Sequence, residues 1–367
     1  MKYFLKFLCL FALLLCFNLK AAAKDVKILI AENKPSFSLE ASGKFKITDV
    51  SAGKKYVIKK GGKFNVAGNK KQVQAGSVKA DGDLILDLSS KDGFFTLNGN
   101  KYNGKLILKP ASNGVNVIEQ TDLENYLLGV LPYEMSHSWP QEALKAQAVA
   151  ARTYTLKSIT DKKIEDFDLY SDVRSQMYKG AGTVYDSVKQ AVKQTKGQVL
   201  MYDGKMFYTY YHANCGGHTD PMPWLKDAIK PLSGAKCGYC SKSASANWKA
   251  EIPLDSINKF LKKNKINGTF KSVSIAQKES SGRAKTLTVK TNKTKKTVSC
   301  NDFRVAVGST KMKSCFITKI SGRTFTGKGY GHGGGMCQDG AKGMAEAGKD
   351  YKEILERYYP SAKLKEI

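Results

Sequence analysis

Acid is scarce in this chain beside base. Asp and Glu number 32 against 60 Lys and Arg, a formal charge of +28 over 367 residues. Long apolar runs are missing too. Phe7 to Phe17 is unbroken for 11 residues, too short for a bilayer-spanning helix, which needs about 20. No later segment is long and apolar enough to span, so a transmembrane bundle is excluded. No nucleic-acid-binding motif accompanies the basic charge, and the Lys residues are scattered along the chain. Prolines number only nine beside 33 glycines, and no long internal repeat stands out.

What is present points to a folded protein. The length excludes a mini-protein that needs staples and suggests two to three domains at about 150 residues each. A hydrophobic content of 42%, with 16 Phe, 18 Tyr and 3 Trp, excludes a disordered chain.

The first residues read as an address. Met1 to Lys6 is positive, Phe7 to Phe17 is apolar, and Ala21-Ala22-Ala23 supplies small residues before Lys24. Residues 1–23 therefore fit a cleaved secretory signal; an uncleaved anchor is the other reading. Removing them takes away three Lys and no acid and leaves +25. Such a field attracts polyanions, which outside the cytoplasm are acidic wall polymers, carboxylate-bearing peptide stems or lipid headgroups.

Of eight cysteines, Cys9 and Cys16 leave with the signal. The remaining six are Cys215, Cys237, Cys240, Cys300, Cys315 and Cys337. An even count in an oxidising compartment favours disulfides, with pairing open; Cys300 with Cys315 and Cys237 with Cys240 are the expected bridges.

Along the chain, residues 24–120 read as an all-β lobe. Val26–Ile30, Leu84–Leu88 and Lys105–Leu108 are candidate strands, punctuated by Gly-Asn, Asp-Gly and Asn-Gly turns. Ser138-Trp139-Pro140-Gln141 has the form of a capping box, and Glu142 to Leu156 reads as an Ala-rich helix. Glu134 falls in the connection before it, Pro132-Tyr133-Glu134-Met135. Residues 184–212 read as a short helix and then strands that include Met206–Tyr211. Residues 245–325 are Lys-rich and strand-like, with a helix at Ser256–Lys262. A Gly-rich loop at 329–340 precedes helices near Gln338–Ala347 and at Tyr351–Tyr358, the second capped by Asp350 with Glu353.

Three places carry candidate chemistry. Glu134 stands before a helix N-terminus, which would keep it ionised, while Tyr133, Met135 and Trp139 would raise its pKa. His332 and Cys337 share the glycine-rich loop and have the residue types of a nucleophilic site, against a packing turn with a disulfide cysteine. His212, Cys215 and His218, with Cys237 and Cys240 downstream, are zinc-ligand types. That frame is uncommon, however, and disulfide pairing competes, so no metal is expected.

Taken together, these segments resemble the SpoIID/LytB family of bacterial cell-wall proteins. The resemblance rests on Leu123–Val130 with Glu134-Met135, on Trp139–Tyr154 with its E-A-L-K-A-Q-A-V-A-A-R-T-Y block, and on Gln176–Gly180. It continues through Cys215–Thr219, the His332 loop, Gly340–Ala345, Ile354-Leu355 and Tyr358–Pro360, covering about residues 100–365. It implies an α+β fold: a β-rich lobe over 24–120, and a mixed core over 121–367 that carries a β-rich elaboration near 245–300. It implies peptidoglycan glycan strands as partner, with a cell-wall amidase as a second, and a periplasmic or wall location. The implied activity is that of a lytic transglycosylase with no cofactor, Glu134 its catalytic acid, and Arg152, Gln176, Tyr178, His218, His332 and Gln338 lining its cleft. A non-catalytic amidase-stimulating protein is the competing role. Two departures stand out. Arg174-Ser175 occupies the place where some members bind zinc through His and Cys, so none is expected there. Gly334 and Cys337 replace the usual Val and Ser, which suggests a Cys337–Cys215 bridge.

Overall fold

The computed structural model describes residues 24–367 except 91, 162–163 and 223–228. The signal-like residues 1–23 lie outside it. The architecture is α+β, with mostly antiparallel sheets.

Alternation of apolar and polar residues builds the N-terminal lobe. Leu84, Leu86, Leu106 and Leu108 turn inward from neighbouring strands, Leu84–Leu88 and Lys105–Ala111. These belong to a seven-stranded sheet whose long pair is Asp25–Lys34 against Gly114–Asp122. A six-stranded sheet built around Ser36–Ala41 and Gly62–Gly68 covers it. Phe45 bridges the two, stacked on Phe64 at 5.3 Å and edge-on to Phe95 at 5.7 Å.

The lobe does not end at its sheets. Its core continues through Tyr126, Leu127 and Val130 of a first helix, α1 (Leu123–Glu134), and through Ala148, Ala151 and Leu156 of a second, α2 (Gln141–Asp161). Helix α1 begins where Asp122 accepts the Asn125 N–H at 3.0 Å, an N-cap. It runs on through Pro132, so Glu134 is its last residue. The expected connection at 132–135 is therefore helix down to Glu134. A proline this close to the end leaves only one carbonyl of the preceding turn without its usual donor.

Helix α2 is long because alanine favours helix, and small because it is crowded. Ala143, Ala146 and Ala148 to Ala151 are all buried. They let α1, α3 (Asp186–Gln194) and the strand Gln198–Tyr202 approach closely. Ser138 does not cap it: the helix starts at Gln141, and the Ser138 hydroxyl lies 2.9 Å from that of Ser136. The pair Asp350 and Glu353 does form a reciprocal capping box, at the start of the helix Tyr351–Tyr358. The expected strand over Met206–Tyr211 is broken, because only Lys205–Met206 and Tyr211–His212 pair. Between them Phe207 turns into a second core.

That second core is built on Leu144, Ala146, Val149, Met336 and Tyr359. A third, with Phe260, Phe303 and Phe325, fills the Lys-rich part, from Trp248 to Phe325. There α4 (Leu254–Lys263) takes the place of the expected Ser256–Lys262 helix. An unforeseen helix, α5 (Cys300–Val307), starts where the Ser299 hydroxyl accepts the Asp302 N–H. Among the described residues no helix is long and apolar enough to cross a membrane.

Candidate active site

The C-terminal end of α1 carries Glu134 out to a half-buried position. Its Oε1 accepts the Met177 N–H at 2.8 Å. Burial pushes its pKa up, while the Met177 N–H and the Gln338 side chain pull it part of the way back. The negative end of α1 acts in the same direction as burial. The sequence suggested the opposite dipole effect, because it placed Glu134 ahead of a helix rather than at the end of one. Among the described residues, no second carboxyl is one of the groups that shift Glu134.

The rings that feel the charge of Glu134 are Tyr126, Tyr154 and Tyr211. The rings read from sequence face elsewhere. Tyr133 is exposed under the Lys179 ammonium, and Trp139 lies beneath that of Lys342. Met135 is in the second core.

Gln176 is buried at the centre of this group. Its amide nitrogen donates to the Tyr211 hydroxyl at 2.9 Å, and its Oε1 accepts from Thr155 at 2.8 Å and Tyr126 at 3.3 Å. His332 reaches the same place from the glycine-rich loop. Its Nε2 lies 2.9 Å from the Tyr211 carbonyl, and its Nδ1 accepts the Gly334 N–H at 3.1 Å. Burial lowers its pKa to about 4, so the ring is neutral near pH 7, with the proton on Nε2. The buried His212 holds the other side of Gly334, its Nδ1 3.0 Å from that carbonyl. A Cβ at Gly334 would collide with the Met222 sulfur; Met222 occupies the room that a valine would take.

Gln338 opens the helix α6 (Gln338–Glu346) and meets Gln147, its Nε2 3.5 Å from the Gln147 Oε1. Of the remaining sequence candidates, three have other partners. Arg152 is fully buried and forks onto Glu124 at 2.7 and 2.8 Å, with further bonds to Val192, Thr195 and Gln198. It ties α1 and α2 to α3 and the strand that follows. Tyr178 is buried, and its hydroxyl donates to Glu119 at 2.6 Å. His218 bonds to the neighbouring Thr219 carbonyl. Arg174 pairs with Asp172 and Glu32.

Sequence reasoning passed over the tyrosines. Tyr154 stands 5.3 Å from Tyr208 and 6.0 Å from Tyr210, and Tyr210 stands 6.2 Å from His332. This half-buried aromatic row leads from Glu134 toward a groove lined by Lys157, Asp161, Tyr202 and Tyr208. The run Tyr208-Thr209-Tyr210-Tyr211 was the available signal: three tyrosines in four residues are more than a core strand needs. The expected bridges are also absent. Cys215, Cys237, Cys240, Cys300, Cys315 and Cys337 are all free, so the pairings 300–315, 237–240 and 215–337 are corrected to six thiols.

The family model for stage II sporulation protein, SpoIID, matches residues 111–202, the stretch that supplies Glu134 and Gln176. A domain of unknown function matches residues 236–335. An uncharacterized protein of Brachyspira hyodysenteriae is 40% identical over 275 residues, covering 74% of this chain and 73% of that protein. The amidase enhancer of Bacillus subtilis is 35% identical over 288 residues, 65% of this chain but 40% of that protein. Stage II sporulation protein D of Bacillus subtilis is 27% identical over 278 residues, covering 68% and 76%. The chain belongs to the SpoIID/LytB family.

Proposed function

We propose that the protein is an exported lytic transglycosylase of the bacterial cell wall, with Glu134 as its one general acid and base. The observation that carries the reading is a half-buried carboxyl with a raised pKa, placed beside an aromatic row and, among the described residues, with no second carboxyl acting on it. Glycoside hydrolysis calls for two carboxyl groups, one as acid and one as base or nucleophile. A lytic transglycosylase admits no water and manages with one.

Protonated Glu134 gives its proton to the oxygen bridging MurNAc C1 to GlcNAc, and that C–O bond breaks. The C6 hydroxyl of the same MurNAc then bonds to C1 and returns its proton to Glu134. The glycan ends in 1,6-anhydro-MurNAc, and the enzyme is regenerated. Gln338 and the Met177 N–H orient the carboxyl, and the tyrosines receive sugar faces. The neutral His332 and Gln176 hold Tyr211 in place. A raised pKa keeps the acid protonated at the start of the cycle. Residues 1–23 supply export, and the charge of +25 left after them draws the chain to acidic wall polymers. No cofactor is required.

One observation favours a second role. A relative at 35% identity is named an amidase enhancer, so a wall-binding protein that stimulates an amidase is the alternative. Digestion of purified glycan strands by the mature protein and by E134Q, with the ends read by mass spectrometry, separates the two. Anhydro ends from wild type alone are expected. Reducing ends would mean hydrolysis, and binding without cleavage by both proteins would favour the amidase role.

A further inference from the structure

Three separate stretches of chain bring four cysteines together in the second core. The sulfurs of Cys215, Cys237, Cys240 and Cys337 all lie within 4.8 Å of one another, and all four residues are buried. Cys215 and Cys240 are 3.6 Å apart at sulfur. A disulfide needs about 2.05 Å. Four thiolates at about 2.3 Å from a central ion stand about 3.8 Å apart. We propose that these four cysteines hold one divalent metal ion, zinc by the chemistry of the ligands, in a closed tetrahedral site.

The ligand set itself is selective. Four soft sulfurs in tetrahedral array suit zinc and exclude calcium or magnesium, which take oxygen. Cys237 and Cys240 have the two-residue spacing common in structural zinc sites. Neither His212 nor His218 is in the set, so the His/Cys frame visible in the sequence was the wrong one.

Backbone donors already point at the sulfurs. The Cys215 N–H reaches Cys337 Sγ at 3.2 Å, the Gly340 N–H reaches Cys337 Sγ at 3.3 Å, and the Gly217 N–H reaches Cys215 Sγ at 3.4 Å. Cys337 is also the N-cap of α6, where the positive end of the helix favours a thiolate. The Tyr358 hydroxyl lies 3.0 Å from Cys237 Sγ. Such contacts orient ligands around a metal. A dication with four thiolates carries a net charge of −2, and a buried cation stands close by. Arg283 donates from Nη2 to the Cys215 carbonyl, while its Nε and Nη1 have no hydrogen-bond partner among the described residues. The packing leaves no slack, since a Cβ at Gly340 would strike Tyr358 and come within 2.6 Å of Cys237 Sγ.

With four protein ligands there is no open position for substrate, so the ion is structural. It ties the segment after His212 to the segment that begins α6, beside the parallel pair Tyr211–His212 and Met336–Cys337. Tyr211 and Gln338 thus approach Glu134 from a strand and from the start of α6, which the ion holds together. The site takes no part in bond cleavage, and its test is independent of the transglycosylase reading.

The test uses the full mature chain, purified reduced and without chelator. Elemental mass spectrometry is expected to find one zinc per chain. Replacement by cobalt(II) should give thiolate-to-metal charge-transfer bands and the intense visible bands of a tetrahedral ion. C237S/C240S should lose the metal, and C315S should keep it. If the double variant does not fold, stripping the wild type with chelator and adding cobalt(II) gives the same answer by spectrum. Two results overturn the proposal. One is a folded, reduced wild-type chain that carries no zinc and takes up no cobalt(II). The other is peptide mapping, on protein taken from the cell envelope, that finds two disulfides among these four cysteines.

Discussion

Two carboxyls flank the strap Gln176–Tyr178, and they have opposite surroundings. Glu119 faces one side, fully buried, taking the Tyr178 hydroxyl at 2.6 Å and the Gly104 N–H at 2.9 Å. Glu134 faces the other, half-buried, with one backbone donor and one amide side chain. Burial raises both; for Glu119 the value reaches about 7. The comparison teaches that a raised pKa does not by itself mark a catalytic acid. Glu119 has a donor on each oxygen and no route to solvent. Glu134 keeps an open flank beside a row of tyrosines, and access is what separates the two.

Exchanging one carboxyl at a time should break the symmetry. In E134Q, glycan cleavage is expected to fall by about 10³-fold, within the usual range for loss of a general acid, while circular dichroism stays unchanged. In E119Q, cleavage should stay within a few-fold of wild type. The fold should weaken by about 1–3 kcal/mol near neutral pH, because an amide cannot accept on both sides. If E119Q abolished cleavage at full stability, the assignment of roles would be reversed.

A wider contrast is offered by Arg152, a buried cation whose task is to hold helices. R152A should cost about 3 kcal/mol in denaturant titration, since it breaks a buried ion pair. Rescue of cleavage at low temperature would separate it from Glu134, whose loss cooling cannot repair.

The pH dependence sharpens the comparison further. A raised carboxyl pKa adds stability that is complete below the unfolded value of about 4.5 and is lost as pH climbs through the folded value. Wild-type stability should therefore decline between about pH 4.5 and 7, between the unfolded and folded values of Glu119. In E119Q that decline should flatten, as urea melts across this range can show. For E134Q the melting temperature should exceed that of wild type at pH 8, and the gap should close below about pH 4.5.

The smallest effect is expected from Gln338, whose side chain holds Glu134 down. Q338A should move the alkaline limb of the cleavage profile upward, by under about one pH unit, since one neutral donor is lost.

Much of this was legible in the residues. The capping pair Asp350 and Glu353 announced its helix because the signal is local and nothing competes with it. Ser138 to Gln141 carried the same pattern and did not cap, since Pro140 and the turn at Ser136 set the chain's path first. Helix α1 was missed although Asp122 caps it, because Pro132 reads as a break. Glu134 was singled out through resemblance, and its place at the end of α1 was not foreseen. Its environment was not legible, because Tyr154, Tyr211 and Gln338 arrive from distant stretches that no local pattern connects. The thiols misled for a related reason. Counting cysteines suggests pairs, whereas the fold collects four of them at one point and leaves Cys300 and Cys315 elsewhere.

The parallel pairing of Tyr211–His212 with Met336–Cys337 bears on the order of assembly. His332 meets Tyr211 across 121 residues of chain, and Cys215 meets Cys337 across 122. Closing so long a loop costs entropy before any contact repays it. Hairpins of the β lobe, such as Lys105–Ala111 with Gly114–Asp122, need no such closure, and α1 can carry Glu134 while Gln338 is still absent. A chain caught partway through folding, or cut short before residue 338, would carry the acid without the second strand that frames it. Gln338 therefore joins Glu134 only after the stretch around residue 338 has been made and has packed.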